Sequence, residues 1–297
     1  MKQSVRILWS SDQFIMRFVV IGMIVASSML FTIIPIGQAL RGSLYDWNPL
    51  RGQFSYIGLA NYVEALHSKL FWSSMLNNLI FTTVVVFFRV LFGLALALAI
   101  YSIPKFKELF RTIYFIPIVC PLSAIALVWL WMYHPQIGLF NAVLMKFGVP
   151  RINWLQNPKT ALGAIMVMTI WKDVGYAIVI YLAGLLNLPK TVYEAAGLDG
   201  ANRMQTFWHV TLPLLKPTTL FVVVTSLISY LQSFTQIFIM TRGGPGTKTY
   251  LTTYLIYNDA FRNYRFGYAS AVSFLLFLVI AVLTYIQFKV TGKDWEM

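Results

Sequence analysis

Three ionisable side chains sit inside stretches that are otherwise apolar: Arg89, and the adjacent pair Lys172 and Asp173. A centred Arg in a lipid-spanning helix is disfavoured by roughly 2.5–3.5 kcal/mol on insertion scales, so such a residue must face protein or a wet cavity. A polar set follows later in the chain. Ser226, Ser229, Tyr230, Ser233 and Gln236 step by 3, 1, 3 and 3, which keeps them on one helical face with Gln232 at its edge. Hydroxyls, amides, phenols such as Tyr176 and Tyr230, and a few fixed charges could line a path for a hydroxyl-rich solute. Helix-to-helix hydrogen bonding would explain the same stripe, and neighbouring helices could satisfy Lys172 and Asp173 as a purely structural pair. Adjacent helical residues point about 100° apart, so Lys172 and Asp173 need not pair with each other.

Other chemistries are poorly supplied. The chain has 10 acidic residues and 3 histidines, and His67, His134 and His209 are far apart with no ligand spacing. Cys120, the single cysteine, lies in an apolar run and has no partner for a disulfide. The loop Thr241-Arg242-Gly243-Gly244-Pro245-Gly246-Thr247-Lys248-Thr249 invites comparison with a phosphate-binding loop. Its spacing fails, because that motif needs Gly, four residues, then Gly-Lys-Ser/Thr after a strand. Gly243, Gly244 and Pro245 fit instead a tight, re-entrant turn near the pathway. The expectation is no catalysis, no cofactor and no metal.

These residues must be positioned by membrane-spanning helices. Hydrophobic residues make up 58% of the 297 and charged residues 11%, against roughly 25% charged in soluble domains; mean hydropathy is +0.69. The net charge of +13 is scattered over loops, which suits anionic headgroups and does not indicate nucleic acid. Runs long enough to span fall at about 18–40, 75–101, 112–133, 160–186, 213–240 and 266–288, with short tails at 1–17 and 291–297. That predicts an all-α, polytopic protein with six spans, its transmembrane domain covering 18–290. Pro117 and Pro121 should bend or locally unwind the first half of the third span. The small series Gly93, Ala95, Ala97, Ala99 offers close packing in the second. An even number of crossings puts both termini on one side. Lys and Arg divide almost evenly between the sides, but the dense cluster Lys105, Lys107, Arg111 favours the termini side as cytoplasmic.

One polar interruption stands out, residues 189–217. Pro189 suits a helix start, Gly200 a stop or sharp turn, and Pro213 and Pro217 forbid an unbent passage into the fifth span. The reading is two short helices with a break, the second from Ala201 to about His209. An amphipathic loop lying on lipid is the plain alternative. Glu194-Ala195-Ala196, three residues, Gly200, nine residues, then Val210-Thr211-Leu212-Pro213 is similar to the EAA signature of ABC-importer permeases. Tyr56 to Tyr62, Phe71-Trp72-Ser73, Ile180 to Leu185 and the Gly243-Gly244-Pro245 loop also resemble the permeases of carbohydrate importers, the branch related to the maltose and glycerol-phosphate systems.

The resemblance implies a type I importer permease in a bacterial-type inner membrane. Its partners would be a second homologous permease, two ATPase subunits and an extracytoplasmic solute-binding protein. Segment 189–209 would be the coupling segment that docks on the ATPase, with Tyr193, Glu194, Ala195, Ala196, Gly200, Leu212 and Pro213 as its residues. Small side chains there permit close approach, Glu194 offers a carboxylate, and Tyr193, Phe207 and Trp208 are aromatic anchors. Arg89, Lys172, Asp173, Tyr176, Ser229, Tyr230, Ser233 and Gln236 would line the pathway. A stand-alone secondary transporter or channel for a polar solute is the rival, and glycerol phosphate or another polyol rivals a sugar as cargo.

Overall fold

The computed structural model describes residues 11–103 and 107–291. The predicted tails 1–17 and 291–297 therefore fall largely outside the described residues, as does Lys105 of the short basic loop. Helix α1 (Ser11–Ser28) runs through a π-helical turn (Met29–Ile33) into α2 (Ile34–Gly42). A two-stranded antiparallel hairpin follows, β1 (Tyr45–Asn48) and β2 (Gln53–Tyr56), with Tyr45 opposite Tyr56 and Trp47 opposite Phe54. The all-α expectation did not include it. The Asn48 side chain accepts from the Leu50 and Arg51 amides to close its turn, and cross-strand aromatic pairs hold it together.

After α3 (Ala60–His67) comes α4 (Lys69–Ser102), whose start is capped by the Ser68 hydroxyl accepting from the Phe71 amide. Its 34 residues span about 50 Å at 1.5 Å per residue, more than the ~30 Å hydrocarbon layer. It begins earlier than the expected residue 75 because Lys69 to Ser74 continue the helix beyond the apolar run. Helices α5 (Lys107–Val119) and α6 (Leu122–Met132) meet at 102° across Cys120 and Pro121. Pro121 lacks an N–H, so the ladder stops there. The bend expected at the prolines of the third span is thus a sharp corner at Pro121. Helix α7 (Leu139–Lys146) lies in the following loop, and α8 (Ala161–Leu186) returns across the bundle.

Helices α9 (Lys190–Leu198), α10 (Arg203–Thr206), a π-helical turn (Phe207–Thr211) and α11 (Leu212–Leu214) precede α12 (Lys216–Leu231), α13 (Thr235–Met240), α14 (Thr252–Phe261) and α15 (Phe266–Thr291). The stretch Arg203–Leu214 meets Lys216–Leu231 at 60°. Four helices among the described residues are long and apolar enough to cross a bilayer, or six if each bent pair is one span.

The core lies where α4, α8 and α12 meet. A Cβ on Gly93 would stand 2.6 Å from the Ala177 Cβ, so α4 and α8 are pressed together at that glycine. Gly175 is likewise closed off by the Tyr114 carbonyl of α5. Phe81, Val85, Trp129, Ile165, Met168 and Tyr230 fill one buried layer; Ala97, Ala177, Ile178, Tyr181 and Leu215 fill another. In lipid these contacts act through close packing and dispersion, since the surrounding acyl chains are as apolar as the side chains. The first span contrasts with them: none of the apolar window within Met16–Gly42 is buried.

Candidate functional site

Helices α4, α8 and α12 bring the three intramembrane charges to one place. Arg89 is 6% exposed and Lys172 is 9% exposed. An Arg89 guanidinium nitrogen donates to the Ser226 hydroxyl at 3.0 Å. The same guanidinium lies over the Tyr176 ring at 5.0 Å and the Tyr230 ring at 5.5 Å, and desolvated cation–π contacts of this kind are worth ~2 kcal/mol. Its Nε finds no hydrogen-bond partner among the described residues. The Lys172 ammonium reaches Asp173 Oδ1 at 3.2 Å, and the Tyr230 hydroxyl donates to Asp173 Oδ2 at 3.1 Å. Lys172 and Asp173 do pair, which the sequence-based geometry left open. The α-carbons diverge by 100°, but a four-carbon stem is long enough to curl back.

The polar stripe holds only in part. Ser226 and Tyr230 are buried on one face, whereas Ser229 is exposed and its hydroxyl returns to the Thr225 carbonyl. The single-helix face cannot continue to 236, because α12 ends at Leu231 and Gln232 is outside it. Ser233 and Gln236 are nonetheless buried, placed by the break and not by helical periodicity. Gln236 Oε1 has no hydrogen-bond partner among the described residues.

The break is held by residues that sequence reasoning did not single out. Asn78 of α4 donates to the Leu231 carbonyl at 2.9 Å, and the Thr253 hydroxyl donates to the Ser233 carbonyl. Backbone groups freed inside a membrane must find such partners. Asn77 donates to the Thr247 and Tyr250 carbonyls, tying down the glycine loop. The adjacent Asn77 and Asn78 inside an apolar run were the available signal. In that loop Gly243 has φ +82 with the Tyr250 ring where a Cβ would lie, and Gly244 and Pro245 are joined by a cis peptide bond. Thr249 donates to the Gly244 carbonyl at 2.7 Å.

The segment before α12 is a braced pair of short helices. Gly200 has φ +76. The Ala201 amide donates to the Ala196 carbonyl and the Gly200 amide to the Gly197 carbonyl, the Schellman arrangement that a left-handed residue permits. Asn202 and Gln205 then form a reciprocal capping box that starts α10. Its helical path continues to Leu214, past the expected end at His209, because the π-turn carries the ladder up to Pro213. Tyr193 differs from the expectation of an outward anchor: its hydroxyl meets the Thr211 hydroxyl at 3.1 Å, locking α9 to the second helix. Ala196 is buried, so it packs inward and presents no small surface. Glu194, Ala195 and Gly197 are exposed, and Leu198 is 90% exposed beside them. Leu212 is half-buried and Pro213 exposed at the far end.

Residues 89–292 match the family described as binding-protein-dependent transport system inner membrane component. The chain belongs to that family. As a permease of this kind it is similar to the lactose transport system permease protein LacF of Rhizobium radiobacter, 35% identical with 89% of this chain and 90% of that protein covered. It is also similar to the trehalose/maltose transport system permease protein MalF of Thermococcus litoralis, at 33% with 88% of each covered. A solved bacterial alginate ABC transporter, in complex with an alginate pentasaccharide-bound periplasmic protein, superposes with a TM-score of 0.83 at 21% identity, covering 96% of each chain. The fold is that of a type I ABC-importer permease. The family match begins at Arg89 and takes in the buried cluster, the braced helices and the glycine loop, while the first span and the hairpin precede it.

Proposed function

We propose that this permease forms half of the translocation pathway for a carbohydrate delivered by an extracytoplasmic binding protein. The observation that carries the reading is the convergence of Arg89, Lys172, Asp173, Tyr176 and Tyr230 from α4, α8 and α12, a polar centre between helices that are otherwise apolar. The sugars in the names of related proteins, lactose and trehalose/maltose, support the cargo class. A second homologous permease supplies the other half, and two ATPase subunits drive the cycle. Both termini, 1–17 and 291–297, face the cytoplasm, as does segment 189–209. Glu194, Ala195 and the exposed Leu198 meet the ATPase. Tyr193, Gly200, Leu212 and Pro213 set the shape of the segment. The Tyr193–Thr211 brace passes ATPase motion into α12, and the pathway alternates between inward-open and outward-open states.

The test is uptake of labelled lactose, maltose and trehalose by inside-facing vesicles holding the complete importer, with and without ATP. Uptake that requires ATP, and that Glu194→Trp abolishes without lowering membrane abundance, is expected. Uptake indifferent to ATP and to residue 194 would establish the stand-alone carrier instead. A second cargo, a glycerol phosphate, is favoured by one observation: Arg89 keeps Nε without a partner among the described residues. Competition of sugar uptake by glycerol 3-phosphate decides between them.

A further inference from the structure

Opposite the braced helices, where α6 and α13 end, the structure forms a cleft of about 500 Å³, within the ~300–1,000 Å³ range of small-molecule sites. Chain order puts it at the far end of the third and fifth spans from the coupling segment. One wall is the loop carrying Tyr133, His134 and Gln156; the other carries Thr241, Gly244 and Pro245. We infer that this cleft is a binding site for a neutral saccharide, separate from the Arg89 cluster, which the solute occupies at the outer mouth of the permease. The inference rests on the carbohydrate reading above.

Both walls are fixed by their own buried polar groups. Asn141, 1% exposed, donates to the Pro135 and Ile152 carbonyls and accepts from the Ile152 amide and the Trp154 indole. Across the cleft the Thr241 and Thr249 hydroxyls meet at 2.7 Å, and Asn77 holds Thr247. A wall so determined is shaped before any ligand arrives. Within it, His134 Nδ1 accepts from the Gln136 and Ile137 amides, which leaves Nε2–H as a donor in a set direction. Gln156 is exposed and adds an amide donor and acceptor. Tyr133 has spent its hydroxyl on the Ala164 carbonyl and is buried beneath the cleft, so the half-buried Leu155 and Pro245 give the apolar surface for the C–H face of a sugar.

The absence of charge selects the ligand. Among the described residues no Lys, Arg, Asp or Glu lines this cleft, in a chain of net charge +13. An anionic solute would find no lining cation here, whereas hydroxyls would find the His134 imidazole N–H and the Gln156 amide. The Arg89 cluster has the opposite character, so the two places read different features of the same cargo.

The test uses the complete importer carrying Cys120→Ser and Gln156→Cys, labelled with a maleimide in the presence of maltose, lactose, trehalose, glucuronate or glycerol 3-phosphate. Protection by a neutral sugar, at least about threefold in labelling rate at saturation, is expected. Labelling unaffected by every neutral sugar, or slowed by the anions alone, would overturn the inference. So would protection by the sugar-free binding protein alone, which would make the cleft a protein-docking surface. His134→Asn supplies the second reading, since its side-chain oxygen can still accept from the Gln136 and Ile137 amides while the outward donor is lost. Its KM for sugar should rise about fivefold with kcat retained, and an unchanged KM counts against the site. ATP-driven sugar uptake by the unaltered importer reports on the carbohydrate reading separately.

Discussion

Asp173 holds two partners at once, the Lys172 ammonium and the Tyr230 hydroxyl, and so ties α8 to α12. Removing one partner from a fully buried pair is destabilising by ~3–5 kcal/mol. The Asp173 side chain is 25% exposed, so Asp173→Ala should destabilise by less, about 1–3 kcal/mol, read as a lower unfolding temperature in detergent. Asp173→Asn should recover part of the loss, because the Tyr230 bond survives. A second titratable carboxyl lies outside the spans. Burial pushes the Asp259 carboxyl above its usual value, against the Asn263 amide and Arg265, which pull it down. A carboxyl with a raised folded value binds more protons folded than unfolded. Its contribution to stability is therefore complete below the ordinary carboxylate range and is lost as pH rises through the raised value. Relative to Asp259→Asn, the unaltered protein should lose stability across that window, and denaturant melts at stepped pH measure it. At this scale the identity of the charged residues was legible in the sequence, since charges stand out in an apolar run. Their pairing was not, because side-chain reach does not follow from the angle between neighbouring α-carbons.

Among the elements, the short helices before α12 were the most legible, since Pro and Gly punctuate the backbone in ways that tertiary contacts seldom overrule. Gly200 takes φ +76 with open space around its absent Cβ. Gly200→Val therefore suffers from backbone strain alone, ~1–2 kcal/mol for a left-handed residue, and should impair ATP-driven uptake while membrane abundance stays near normal. Gly93→Leu tests the opposite situation, where space and not φ is limiting. Its side chain would enter the Ala177 contact, and overpacking of about 1–3 kcal/mol should appear as reduced thermal stability with α4 displaced from α8. The hairpin at residues 45–56 was not legible as strands, because alternating aromatics at a membrane boundary read equally as an interfacial belt. The stripe beyond Tyr230 failed for a different reason: periodicity assumes that one helix continues to Ser233 and Gln236, and α12 stops at Leu231.

For the whole molecule, composition and run length made the class of protein plain, but the third run proved to be a corner of 102°, while the 60° turn into α12 falls where Pro213 and Pro217 forbade an unbent passage. Hydropathy sums over a window and is blind to direction, so a bent pair and a rod score alike. The break between α12 and α13 is the feature on which the most depends. Asn78→Ala would leave the Leu231 carbonyl without its side-chain donor, a loss of about 1–3 kcal/mol, and α13 should then show faster amide exchange than α8 in the same sample. Because Asn78 and Thr253 take up the carbonyls at that joint, the main chain is not left bare in oil where the helix stops. The fifth span is thus riveted at its interruption to α4 and α14, and a solute passing that point meets side chains of fixed aim.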